Sequence, residues 1–248
     1  MTKLGGCLLV GRRSLAKLPA DERAFLFFLG QAINEISCLS KITYMSGNAP
    51  EGHKLLENVH AGQTLILLRI LIGKVHEAWT SLRQRPVRKI YRDGLSQDQK
   101  DIEQALGKRL GQDTVMRGVR KIAFHFPNDT AEIDNAFSAL SEGEPWLFYL
   151  SDKVGNSFHY ASELVMQRLM IEKTENTAPG PNTAARSEWR SADTLFETAT
   201  SVSRDLVTVL MGYLIQIIEK HFGDMHAAPI ARIEAPELKK LSIPFFVS

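Results

Sequence analysis

The stretch D-T-V-M-R-G-V-R-K-I-A-F-H-F-P-N-D-T-A-E-I-D-N-A-F, Asp113 to Phe137, decides how the chain is read. Asp113 offers a side-chain acceptor to the first turn of a helix, and Val115, Met116, Val119, Ile122, Ala123 and Phe126 then recur at helical spacing as a core-facing stripe. Arg117, Lys121 and His125 stand four apart on another stripe with Arg120 beside them, so the polar side of this helix is basic. Pro127 drives Phe126 out of the helical region, which places His125 in the last turn, where the helix dipole favours a cation. Asp129 and Glu132 form a capping pair for the next helix, which carries Ile133, Ala136, Phe137 and Leu140. A helix, a proline break and a second capped helix bury their stripes by packing on other helices, and an all-α bundle is expected.

Outward from this stretch the same pattern repeats. Asp21 opens a long helix with Phe25, Leu29, Ala32, Ile36, Leu39 and Thr43 on one face and Glu22, Gln31, Asn34, Glu35 and Lys41 on the other, ending near Gly47. Glu51 to Arg85 reads as a second long helix, apolar on all sides from Leu65 to Ile72, and therefore expected at the centre; Pro86 ends or kinks it. Ser96 caps a helix running to Leu110 with Ile102, Leu106 and Leu110 inward. P-W-L-F-Y-L and F-H-Y, separated by S-D-K-V-G-N-S, suit a short hairpin or an extended segment near 146–160 before Ala161 to Lys173 returns to helix. Thr174 to Arg186 has the composition of a mobile surface loop, and a last long helix runs from about Ser191 to Phe222 with Gly223 closing it. The expected organisation is an N-terminal segment (1–20), one helical domain (21–222, with a mobile loop at 174–187) and a tail (223–248) whose Phe245 and Phe246 dock on the body or on a partner.

Composition narrows the function classes. With 248 residues and 44% hydrophobic content the chain can bury a sizeable core, and thirty basic against twenty-eight acidic residues give a net charge of +2. That excludes the global basic field of a DNA-coating protein and makes any nucleic-acid contact local. Cys7 and Cys38 lie in unrelated contexts, which supports neither a disulfide framework nor a zinc site and fits a reducing cytoplasm. Met1 to Lys17 lacks the layout of a signal peptide, and Leu65 to Ile72 is too short to span a membrane and contains Arg69, so no membrane partner is expected. No Walker loop, dinucleotide glycine fingerprint, H-E-x-x-H or paired Cys-x-x-Cys is present, which leaves metal-free and cofactor-free chemistry, or binding.

The densest positive patch is V-R-K-I-Y-R-D, Val87 to Asp93, together with Arg83 and Arg85. Two readings of it stand. It is a solvated helix end whose cations complement the dipole. Alternatively Arg88, Lys89 and Arg92 form an RNA phosphate track with Tyr91 as the stacking platform for a base.

K-I-A-F-H-F with an arginine just upstream resembles the catalytic helix of the HEPN superfamily, helical domains many of which are ribonucleases or toxins. The family signature is an arginine, four to six residues, then a histidine, and Arg120 and His125 match it; Lys121 replaces the Asn or Asp that often follows the arginine. A-F-L-F-F-L-G-Q-A-I-N-E-I-S-C-L-S-K, in the first long helix, adds to the likeness. Arg69 and His76 make a second match with six residues between, and seven steps at about 100° return them to nearly one face. Arg69 also has a simpler account, as an arginine in an apolar run that snorkels to solvent or pairs with a carboxylate.

The resemblance implies a metal-independent endoribonuclease in which His125 moves a proton, Arg120 holds the scissile phosphate, and Arg117 and Lys121 are auxiliary cations. It also implies toxin-like roles with an antitoxin partner, and, as a different class, a catalytically silent module that binds RNA or protein. Five steps along a helix leave Arg120 and His125 roughly 140° apart, which a two-fold axis beside this helix would remedy by bringing two copies together. The resemblance implies a homodimer of this kind, which the spacing permits, with Phe124 as an apolar anchor.

Overall fold

The computed structural model describes residues 6–7, 10–48, 54–112, 129–140, 142–143, 146, 148–149, 158–175, 192–223, 228–229 and 241. Within these the chain is an all-α helical bundle. Its helices are α1 (Arg12–Ala16), α2 (Ala20–Ser46), α3 (Lys54–Gln84), α4 (Arg88–Arg92), α5 (Gln97–Gln112), α6 (Thr130–Ser138), α7 (Tyr160–Glu175) and α8 (Ala192–Phe222). Four two-residue strands complete it: β1 (Gly6–Cys7), β2 (Phe148–Tyr149), β3 (Phe158–His159) and β4 (Ala228–Pro229).

The helix ends follow from local chemistry. Pro19 precedes α2, and Asp21 and Glu22 in its first turn complement the dipole. α3 stops at Gln84, two residues before Pro86. Before α5, Ser96 Oγ accepts from the Gln99 amide at 3.2 Å while Gln99 Oε1 accepts from the Ser96 amide at 3.1 Å, a reciprocal capping box. Asp129 caps α6 by accepting from the amides of Ala131 and Glu132, as its spacing predicts.

α8 shares the centre of the bundle with α3, and the two helices are buried to a similar extent along their described residues. Leu206, Val209, Leu210, Tyr213 and Ile217 are all 0% exposed, one stripe that packs on α2, α3, α4 and α5. In α3 the apolar run is only partly covered, since Ile66, Leu67 and Ile70 are half-buried among the described residues. Leu195–Phe222 is also, among the described residues, the stretch long and apolar enough by length and composition to cross a membrane, and its apolar stripe is spent on the bundle. The core of α2 is as read from sequence, with one correction. Glu22 is buried at 7% exposure instead of facing solvent, because it falls three residues before Phe25 and seven before Leu29, on the apolar stripe itself. Glu103 likewise occupies the inner stripe of α5 with Leu106 and Leu110, and is more enclosed than Ile102.

A second layer stands on α3. α7 packs on α3, α6 packs on α7, and β2 pairs antiparallel with β3, Phe148 opposite His159, the hairpin of the two arrangements open for that stretch. β1 pairs antiparallel with β4, which ties the N-terminal segment to the chain beyond α8, a long-range pairing that no local pattern announces. Thr174 and Glu175 belong to α7; the rest of the expected mobile loop, and Phe245 and Phe246, lie outside the described residues. The hairpin is seated on α3 at Gly62, where a β-carbon would overlap the Phe158 ring. Gly62→Val should therefore unseat Phe158 and lower stability by roughly 1–3 kcal/mol, read as a shift in chemical-denaturation midpoint.

Candidate functional site

The basic piece at α4 is built around two buried carboxylates. On one side of α4, Glu22 of α2 accepts hydrogen bonds from the Tyr91 hydroxyl and from His221 Nε2 at Oε2, and from Lys220 Nζ at Oε1, 3.0 Å away. Lys220 also lies over the Tyr91 ring, 5.1 Å from its centroid. Burial on its own would raise the Glu22 carboxyl, but the hydrogen bonds from Tyr91, Lys220 and His221 and the Lys220 charge outweigh it, holding the pKa at about 2, below the ordinary 4.5. Burial, and then the neighbouring Glu22 carboxylate, push the Tyr91 phenol well above its usual range.

On the other side of α4, Glu103 of α5 is 5% exposed and accepts from the Tyr213 hydroxyl at 2.7 Å, from Arg88 Nη1 at 3.3 Å and from Arg92 Nε at 3.0 Å. The Tyr213 phenol is raised by burial and then by its bond to Glu103. Phe25 sits between the two phenols, with ring centroids 6.4 Å from Tyr91 and 5.8 Å from Tyr213. α4 is thereby clamped to α2, α5 and α8 by charge-assisted hydrogen bonds. All the proton-bearing groups of the Glu22 cluster converge on one carboxylate, and in this arrangement they hold a fixed anion and neutralise it.

This placement changes the reading of the patch. Tyr91 is 4% exposed with its ring against Phe25, so it offers no face to a base and is not a stacking platform as it stands. Arg88 is turned inward on Glu103. Arg92 is bound to the same carboxylate yet its side chain is 53% exposed, and Lys89 and Arg83 are exposed. With Lys220, 47% exposed, these make the positive surface that remains at this end of the bundle. The clue in the sequence is that Glu22 and Glu103 each interrupt an apolar stripe, which marks a carboxylate carried inward, although not its partners.

Arg69 has the simpler fate. Its Nη2 lies 2.8 Å from Glu163 Oε2 of α7, with both side chains nearly buried at 12% and 13% exposure. Burial raises the Glu163 carboxyl against the opposing pull of Arg69. His76, two turns along α3, shares a contact of 3.3 Å with the Thr80 hydroxyl through Nδ1. The arginine of the second match is thus committed to a neighbouring helix. Arg117, Arg120, Lys121, Phe124 and His125 lie outside the described residues. Among the described residues no group of three or more His, Cys, Asp or Glu side chains is arranged to hold a metal ion. The chain matches no family model, no curated protein and no solved structure.

Glu22→Gln should cost on the order of 2–3 kcal/mol at neutral pH, since its carboxylate is favoured by the fold over the unfolded chain. The sign is that of a depressed carboxyl: the contribution is complete above about pH 4.5 and lost as pH falls towards about 2. Denaturation curves at pH 7 and pH 3 should accordingly differ less for the variant than for the natural chain. Arg69→Ala should cost on the order of 3 kcal/mol, because Glu163 is left buried without its counter-charge. The loss should shrink in acid, where Glu163 takes up a proton, and Glu163→Leu added to Arg69→Leu should recover much of it.

Proposed function

We propose that the chain is a metal-independent endoribonuclease of HEPN-like type, in which Arg120 and His125 act on RNA. RNA carries its own nucleophile, the 2′-hydroxyl, so a histidine that accepts and returns a proton and an arginine that holds the phosphate are a sufficient catalytic set. As the phosphorane charge develops, the bidentate guanidinium of Arg120 stabilises the phosphoryl oxygens, and Arg117 and Lys121 add positive charge on the same helix.

One observation carries the choice of pair: Arg69, the rival arginine, is paired with Glu163 inside the bundle. That leaves the Arg120 and His125 match, ahead of Pro127, as the signature to which catalysis is assigned. An all-α bundle is also the architecture that the resemblance implies. Lys89 and Arg92, exposed beside α4, are the phosphate contacts retained for the flanking strand, while Arg88 and Tyr91 serve the fold.

Incubation of the purified chain with end-labelled RNA in EDTA tests the proposal. Cleavage should persist in the chelator and fall by roughly a hundredfold or more in both Arg120→Ala and His125→Ala, with helical content unchanged. Light scattering on the same samples should give a dimer, the state in which two helices share one cleft. Binding of RNA without cleavage would instead support the silent module, and a folded Arg69→Ala variant that lost only activity would move the site to Arg69 and His76.

A further inference from the structure

We infer that the cleft between the C-terminal end of α2, the first half of α3, α7 and the start of α8 is a binding site for an uncharged aromatic ligand that carries an amide-like donor and acceptor. The cleft has a volume of about 350 Å³, at the lower end of the range of small-molecule sites, about 300–1,000 Å³. Its floor is Leu65 and Leu68, 5% and 1% exposed. Tyr44 and Phe196 form an aromatic corner, their ring centroids 6.4 Å apart and their planes inclined at 41°, so a flat ring stacked on one lies tilted against the other. Tyr44 is 42% exposed, so this corner opens to solvent.

The polar lining selects the chemistry. None of the lining side chains carries a charge at neutral pH, and a charged ligand would be desolvated against leucines with no counter-ion. Thr64 is already engaged: its hydroxyl donates to the His60 carbonyl at 2.8 Å and lies 3.0 Å from Ser46 Oγ, which pins α2 to α3 behind the cleft. Asn48 donates to the Leu241 carbonyl at 2.7 Å at the rim. Gln167 of α7 lines the cleft with a side-chain amide that makes no hydrogen bond among the described residues. A primary amide on an aromatic ring presents the complementary donor and acceptor to that group. The inference is independent of the ribonuclease reading, and a chain that cleaves no RNA would bind in the same way.

Isothermal titration calorimetry of the full chain with 2-naphthamide, 2-naphthoate and naphthalene tests it, these probes sharing a ring system and differing only in the polar group. Saturable binding of the amide is expected, with the carboxylate and the bare hydrocarbon each weaker by roughly tenfold. Gln167→Leu should remove the preference for the amide over naphthalene, and Tyr44→Ala, with its folding checked by circular dichroism, should weaken the amide by roughly tenfold. No saturable binding of the amide overturns the proposal, as does equal or tighter binding of the carboxylate. Unchanged affinity in both folded variants overturns it too, since the ligand would then sit elsewhere.

Discussion

Two carboxylates, Glu22 and Glu103, are carried into the end of the bundle where α4 lies, and the packing there follows from the need to satisfy them. A buried carboxylate without donors is costly, whereas one that accepts from a phenol and from cations is stable and directional. Each has the same kind of partners, Tyr91 with Lys220 and His221 for Glu22, Tyr213 with Arg88 and Arg92 for Glu103. Because these donors come from α4 and α8, meeting both demands sets where the five-residue α4 must sit against α2, α5 and α8. The aromatic ring of Phe25 fills the space between the phenols, so the polar clamps and the apolar core are continuous.

The central position of α8 has the same logic at larger scale. A helix with five fully enclosed residues on one stripe has to be surrounded, and α2, α3, α4 and α5 supply the surroundings. α3 then has one side left for the second layer, where Arg69 meets Glu163 and Gly62 admits the Phe158 ring. The ion pair at that junction is nearly dry, so it is sensitive to the loss of either partner.

The positive patch at α4 shows how a function-like motif is divided by packing. Arg88, Lys89, Tyr91 and Arg92 are neighbours in sequence, yet a short helix turns them to different sides. Tyr91 and Arg88 go to the carboxylates, Lys89 goes to solvent, and Arg92 does both. A cluster of cations read from a linear sequence therefore overstates the charge available to a polyanion by whatever the interior acids neutralise. The pairing of Arg69 with Glu163 is the same effect on a single cation.

What the sequence determined by itself was local: the long helices among the described residues, their capping residues Ser96 and Asp129, their ends at Gly47 and Pro86, and the apolar stripes of α2, α5 and α8. These depend on side chains within a turn or two, so periodicity and turn chemistry suffice to read them. It also marked Arg69 as an arginine that must reach solvent or a carboxylate. Only the tertiary structure decided that the carboxylate is Glu163, that Glu22 and Glu103 are inside, that Tyr91 is a core phenol, and that β1 pairs with β4. The partners that satisfy Glu22 are 69, 198 and 199 residues away along the chain, and no short-range pattern encodes a contact at that distance. Whether a charged residue on an apolar stripe is an exposed exception or a buried anion depends on which donors the rest of the fold delivers to it.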